Sequence, residues 1–425
     1  MAKVLRKRAK TKKNTREELG LLDKSVLIDK IIQLEAHNEQ LKVLIAKTTD
    51  IKSEKKRMSE KVHKPFDFSR CHKRHILLKL YYLGWNYDGF TVQEDSNATI
   101  EHHLFAALTK SCCIESRETS NYHRCGRTDK GVSSFCQVIS LDIRSKLEPE
   151  QQSNLSKELP YCKILNKLLP TNIRCIAWCP ISSDFSARFD CKYRKYKYFF
   201  PRGNLDIDAM DKAVKYVIGE FDFRNICKMD VANGVTNFKR KVIDAKISMN
   251  NQAVDKSTGY DICELEITSQ AFLWHQIRCL MGILLLVGKK REEPEIISKL
   301  LDIETCPQKP QYNMAHEVPL NLWYSDYKDT EWIIDENELI NTIKTLQRDW
   351  TLNTIKSIMI KNMLAELENI ANSTNNDFQS DCLLLGAQSK VYQPLMKREV
   401  CESLENKIKH YEKKRKLEVV HSDVV

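Results

Sequence analysis

The stretch HRCGRTDKGVSS, residues 123 to 134, sets one carboxylate, Asp129, between Arg127 and Lys130 and brackets it with Gly126 and Gly131. Cations on both sides favour the charged carboxylate and keep its pKa at or below the ordinary aspartate value of about 3.9. An acid that stays ionised at neutral pH suits a nucleophile or an electrostatic stabiliser, not a general acid. The same residue types also build ordinary turns, and taken alone the stretch reads as one. A phosphate-cradling loop fits less well, because Val132 stands where GxxxxGK needs its lysine and Asp129 would repel the phosphate. A glycosidase needs a second carboxylate as acid; Asp142 and Asp88 could be named, without a pattern to support either.

Two further stretches could serve such an acid. FSARFDCKYRKYKYFF, residues 185 to 200, interleaves Arg188, Lys192, Arg194, Lys195 and Lys197 with Tyr193, Tyr196 and Tyr198. On a strand, alternation puts Arg194, Tyr196 and Tyr198 on one face and Lys195 and Lys197 on the other. Cations for a sugar-phosphate backbone and rings for stacked bases are the parts of an RNA-binding surface; an amphipathic strand with exposed lysines is the plain alternative. AFLWHQIRCLMGILLLVG, residues 271 to 288, places Arg278 in an apolar segment, with Trp274 and Met281 on its face if the segment is helical. Arginine is rarely buried unpaired, and Asp129 is a natural partner.

The elements that must carry these residues follow from periodicity. Ile76, Leu78, Leu80 and Tyr82 alternate as a strand. Asn97 or Thr99 opens a helix with Ile100, Leu104, Ala107 and Leu108 on one face. Strands are expected at 137–143, 173–179, 193–200, 241–249 and 260–268, and helices at 164–169, 207–219 and 272–286. Short strands interleaved with helices, several too closely connected for parallel crossovers, predict an α+β fold. It divides into two packed α+β halves with mostly antiparallel sheets, residues 65–205 and 206–330. Residues 331–425 read as an appendage, with a helix marked by Leu339, Ile343 and Leu346, a break at ANSTNND and a second helix over 403–416.

Composition narrows the class. The chain has 425 residues, 42% hydrophobic, enough for a sizeable core. No apolar run approaches the roughly 20 residues that span a bilayer, and the basic first residues lack the apolar core of a secretory signal, so nucleus and cytoplasm are the expected locations. Fifteen cysteines without a CxxC pair read as small buried hydrophobes. Cys175 and Cys179 come closest to ligand spacing with no second pair beside them, so no metal is expected. Residues 1–64 hold 18 Lys and Arg against 9 Asp and Glu, most of the net charge of +11. Such a basic head suits nuclear import, phosphate contact or simple solvation. Within it, Leu27, Ile31, Leu34, Asn38, Leu41 and Ile45 make a short heptad seam, open to intramolecular packing or a coiled coil, and residues 50–64 read as a polar linker.

Taken in order, YLGWNYDGFTVQ, CGRTDKGVSS, ILNKLLPTNIRCIAW, FSARFDCKYRKYKYFF, AFLWHQIRCLMG and EVPLNLWYSDY resemble the TruA family of tRNA pseudouridine synthases over residues 74–327. GEFDFRNICKMD and the tail YQPLMKREVCESLENKIKHYEKKRK resemble its eukaryotic subgroup acting at positions 38 and 39 of the anticodon arm. Ser133 and Ser134 stand where the family often has His and Ala, and Asn321 precedes Leu322 where Gly-Leu is usual. The resemblance implies two ferredoxin-like, RRM-like α+β halves around a central cleft, homodimers on tRNA, and isomerisation of uridine without a cofactor. Asp129 matches the essential aspartate, Arg278 the arginine paired with it, and Tyr196 the tyrosine that packs on the uracil and is a candidate for proton removal. Arg127 matches the residue that displaces the target nucleotide, and Leu322 an apolar pocket residue. Lys130, Arg188 and Arg194 join Arg127 as expected substrate contacts. A catalytically silent RNA-binding or chaperone protein is the rival reading, and the intact Asp129 argues against it.

Overall fold

The computed structural model describes residues 23, 25–28, 31–36, 38, 66–249, 259–371, 377–386 and 391–422. The chain forms two compact units, Met1–Asp67 and Phe68–Val425. In the first, residues 25–28 and 31–36 are helical, with Ile31 and Leu34 exposed. Leu41, Ile45 and the polar linker lie outside the described residues.

The second unit is built on one nine-stranded sheet. Its first half comprises β1 (His72–Tyr82), helix α1 (Ile100–Lys110), β2 (His123–Arg124), β3 (Ser133–Ser145), α2 (Tyr161–Asn166) and β4 (Ile173–Pro180). β1 lies antiparallel between β3 and β4 and buries Ile76, Leu78, Leu80 and Tyr82 against α1 and α2. Thr99 caps α1 by accepting from the His102 amide, a contact worth about 1 kcal/mol. The helix buries Ile100, Leu104, Ala107 and Leu108, the face expected from spacing.

The second half comprises β5 (Cys191–Pro201), α3 (Ile207–Lys215), β6 (Gly219–Asp222), β7 (Lys239–Met249), β8 (Ile262–Ser269), α4 (Gln276–Gly288), α5 (Ile296–Leu301) and β9 (Leu320–Tyr327). Sheet order is β4-β1-β3-β9-β5-β8-β7-β6, with β2 on β3. β5 precedes residue 205 in the chain, yet its Tyr196, Tyr198 and Phe200 belong to the second core, with α3 and α4. The halves meet where β9 returns between β3 and β5. It pairs parallel with β3 through Ser133↔Asn321 and Ser134↔Leu322, and antiparallel with β5. The other pairings are antiparallel, so the expected α+β class and mostly antiparallel sheet are both observed.

Helix α4 starts at Gln276, because His275 adopts a left-handed conformation before it (φ 58°). Trp274 therefore precedes the helix and does not share a face of it with Arg278. All thirteen α4 residues are buried, Arg278 included. The appendage adds α6 (Glu336–Ala371), α7 (Asp377–Asp381) and α8 (Leu404–Ser422). The cysteines are free thiols and mostly buried, as expected. Among the described residues no helix is long and apolar enough to cross a membrane, and no cluster of three or more His, Cys, Asp or Glu is placed to hold a metal.

Candidate active site

The turn that carries Asp129 is fixed from behind. The Cys125 amide donates to Val138 O (2.8 Å) and the Gln137 side-chain amide to Gly126 O (2.9 Å). YLGWNYDGFTVQ supplies the wall: the Phe90 amide donates to Thr128 O, the Gly131 amide to Tyr87 O, and the Tyr82 hydroxyl bonds Thr128 Oγ1 at 2.7 Å. Gly84 is required by close approach, since an added Cβ would sit 1.9 Å from Val132 O. Gly131 is required twice: its φ is +76°, and a Cβ would meet Glu317 Cγ at 2.7 Å. Gly126 faces open space on the cleft side. Of the two bracketing glycines, then, only Gly126 leaves room for a ligand.

Asp129 sits at the seam between the halves. Arg278 Nη1 lies 3.8 Å from its carboxylate and His275 Nε2 3.5 Å. The same arginine donates through Nη2 to Glu317 (2.7 Å) and through Nε to Ala315 O (2.9 Å). The expected Asp129–Arg278 pairing is therefore present, shared with a second carboxylate that local sequence did not mark. Burial pushes the Asp129 pKa above the ordinary aspartate value. Arg278, a hydrogen bond from Trp274, and Lys228 pull it back, while Glu317 adds to the rise. This corrects the expectation of a value at or below the reference. Flanking cations do not decide the matter, because Lys130 is committed to Asp88 at 2.7 Å, and burial against the second half outweighs the attraction. His275 is held down to about 4, by burial and by the Arg278 charge. At neutral pH its contact with Asp129 is therefore that of an uncharged imidazole.

Tyr196 projects from β5 into the same cleft, buried, with its ring edge-on to Phe272 at 5.1 Å. Burial drives its pKa far up, so it stands as a neutral phenol: a platform and hydrogen-bonding wall, with no standing phenolate to remove a proton. The alternation on β5 holds, Tyr196 and Tyr198 being buried and Lys195 and Lys197 partly exposed. Those lysines are occupied, however, by Glu266 and Glu264 of β8, each at 3.0 Å, not free for a phosphate backbone.

Arg194 likewise turns inward. Its guanidinium donates to the carbonyls of Cys125, Arg188 and Gln270, tying the Asp129 turn, the Arg188 loop and the end of β8 together. It braces the site's walls and itself lines the cleft, where the RNA contact expected of it would be made. Leu322, 1% exposed, lies in the core beside Tyr196, and its carbonyl accepts from Ser134 Oγ (3.0 Å). The cleft is lined instead by Leu320, two residues earlier.

The cleft measures about 980 Å³, ample for a nucleotide and its flanks. Arg127, Lys130 and Arg188 reach it from the first half and the Arg188 loop, and Lys228 and Arg240 from the second. Lys228 stacks 4.2 Å over the Trp274 ring. Glu317, His275, Trp274 and Lys228 were not legible as site residues. Glu317 was visible only as the first residue of EVPLNLWYSDY.

A carboxylate faced by an arginine, a neutral phenol ring and cations on both rims come together in one cleft on this mixed sheet, the layout of an enzyme site. A family model described as tRNA pseudouridine synthase matches residues 213–328. The tRNA pseudouridine(38/39) synthase of Mus musculus is 42% identical, over 93% of this chain and 89% of that one. The Saccharomyces cerevisiae protein of the same description is 39% identical, over 92% and 91%. The tRNA pseudouridine synthase A of Archaeoglobus fulgidus is 31% identical, over 63% and 88%. The chain belongs to the TruA-type tRNA pseudouridine synthases, a family of isomerases.

Proposed function

We propose that this chain isomerises uridine to pseudouridine at positions 38 and 39 of the tRNA anticodon arm, with Asp129 as the reacting carboxylate. The observation that carries the reading is the half-buried Asp129 opposite Arg278, with Tyr196 and a cation-rimmed cleft around it. The ionised carboxylate attacks the sugar carbon or assists loss of the base. In either case the N-glycosidic bond breaks first; the base then turns while bound, C5 bonds to the same sugar carbon with release of any bond to Asp129, and the proton lost from C5 is balanced by one gained at N1, so the atoms of product and substrate are the same. Arg278 holds the carboxylate's charge and direction. Arg127, exposed on the cleft, displaces the nucleotide from its stack, and Tyr196 packs on the uracil. None of these steps asks for a cofactor.

The positions are those for which the mouse and yeast relatives are named. Incubation with unmodified tRNA transcripts and nucleotide-resolution mapping tests them: pseudouridine at 38 and 39 is expected in wild type and none with Asp129→Ala, which still binds tRNA. Turnover in that variant sinks the assignment of Asp129. Binding without any turnover by wild type favours the silent RNA-binding reading.

We extend the homodimer expectation to α6. Leu352, Met359, Ile360, Met363, Leu367 and Ile370 lie on one side of that helix, each more than half exposed. Leu367→Asp is expected to give monomers in sedimentation. Nucleus and cytoplasm remain the proposed locations, on the basic head.

A further inference from the structure

The segment that holds the catalytic arginine is itself held by the C-terminal appendage. Met314 to Glu317 frames Arg278: the Ala315 amide donates to Arg278 O (3.0 Å), Ala315 O accepts from Arg278 Nε (2.9 Å), and Glu317 accepts from Nη2 (2.7 Å). Along the outer edge of this segment runs residues 383–386. The His316 amide donates to Leu383 O (2.7 Å) and the Leu385 amide to Met314 O (3.1 Å), with a bridge between Ala315 and Leu384. Leu385 lines the cleft itself, where Met314, Leu320 and Ile277 also lie.

The strap is anchored at both ends. Upstream, Asp381 pairs with Lys289 at the end of α4, and Leu383 is buried in the second core. Downstream, Glu292 accepts from the Tyr392 hydroxyl (2.5 Å) and the Leu395 amide (2.6 Å). Leu395 and Leu404 are buried in the same core. A second bridge joins Pro310 to Val400, supported by Gln311 N to Glu399 O (2.9 Å) and Cys401 N to Lys309 O (2.7 Å). Residues 309–317 are thus clamped twice by chain that follows the two α+β halves.

We infer that residues 383–386 complete the active site, positioning Arg278 through Met314–Glu317 while Leu385 supplies an apolar patch of the cleft wall. Arg278 lies 3.8 Å from Asp129, a separation at which a small shift changes their attraction markedly. Slack in residues 314–317 therefore reaches Asp129 as a weaker cation, and the carboxylate ionises less readily. The inference rests on Asp129 being the reacting group.

Leu385→Pro removes the amide that bonds Met314 O, whereas Leu385→Ala keeps it and removes only the side chain. With full-length protein and an unmodified tRNA transcript, Leu385→Pro is expected to lower the single-turnover rate at least about tenfold, one factor of ten per 1.4 kcal/mol of transition-state stabilisation. The acid limb of its pH–rate profile moves to higher pH, and tRNA affinity and thermal midpoint stay close to wild type. Leu385→Ala shows a smaller rate loss and no movement of the limb. Asp381→Ala, which loosens the anchor and leaves the strap residues unchanged, moves the limb in the same direction to a lesser degree, and serves should the proline variant not fold. Wild-type rate and limb in Leu385→Pro, or in Asp381→Ala where that variant stands in, overturns the strap's role; so does equal behaviour of the proline and alanine variants. Asp129→Ala run alongside separates the failures. Turnover there removes the Asp129 reading and the strap proposal with it, whereas a dead Asp129→Ala beside an unaffected Leu385→Pro removes the strap alone.

Discussion

Arg278 makes its short ion pair, 2.7 Å, with Glu317 and not with Asp129, which it faces at 3.8 Å. The division has a chemical use. A carboxylate hydrogen-bonded to arginine at contact distance keeps its charge but has its lone pairs engaged, and is the poorer nucleophile. One faced at longer range keeps its charge and stays available. Glu317 holds the guanidinium in place so that this separation persists. Glu317→Gln removes a negative charge that raises the Asp129 pKa, so the acid limb of the single-turnover rate should move to lower pH. A limb that moves upward would show that loosening Arg278 outweighs the loss of Glu317's charge. Arg278→Lys should slow the reaction roughly 10²-fold, the scale of one preorganised charge.

Asp129 should also weaken the fold it serves. Its native pKa is raised, so its contribution to stability is complete below the unfolded value of 3.8 and is lost as pH rises through the native value. At neutral pH the ionised form is a cost. Asp129→Asn should therefore raise the melting temperature near pH 7, with the advantage shrinking as pH falls toward 4, while activity drops by at least about 10³-fold. Equal melting temperatures at both ends of that range would contradict the burial argument.

His275 gives the opposite slope. An unfolded histidine titrates near 6.5 and this one near 4, so its stabilising contribution is present above 6.5 and is lost as pH falls through the native value. The total is on the order of 3 kcal/mol. Urea unfolding of His275→Gln should show a flatter dependence between these values than wild type. A slope unchanged by the substitution would place the titrating group elsewhere.

Arginines in the cleft should separate by partner. Arg127→Ala and Arg188→Ala, whose side chains are exposed on the cleft, should each lower the slope of log binding constant against log salt by about 0.7 to 0.9. Arg194→Met should leave that slope alone and cost about 2 kcal/mol of stability or more, because three carbonyls lose their donor. A reduced salt slope in Arg194→Met would restore it to the RNA surface.

What sequence made legible was local. Thr99 and the spacing of Ile100, Leu104, Ala107 and Leu108 specify α1 because a helix reads its own period. Tyr196 was legible from alternation, and Arg278 from the cost of an arginine in an apolar run. The misreadings share one cause: they depend on chain far away. Asp129 meets His275 and Arg278 from the second half, Lys195 and Lys197 meet glutamates on β8, and Arg194 finds carbonyls in three other segments. β9 is marked as a motif yet not as a strand, since Ser134 Oγ reaches the Leu322 carbonyl across 188 residues of chain. The strap at 383–386 lies in a stretch with no periodicity of its own, and its order comes from the edge it binds.

The parallel contact of β3 with β9 is only two residue pairs long, yet Asp129 belongs to one side of it and Arg278, Tyr196 and Glu317 to the other. Neither half owns a working set of groups. Each tRNA converted is thus also a certificate of assembly, issued only by a molecule in which both cores have formed and met in register.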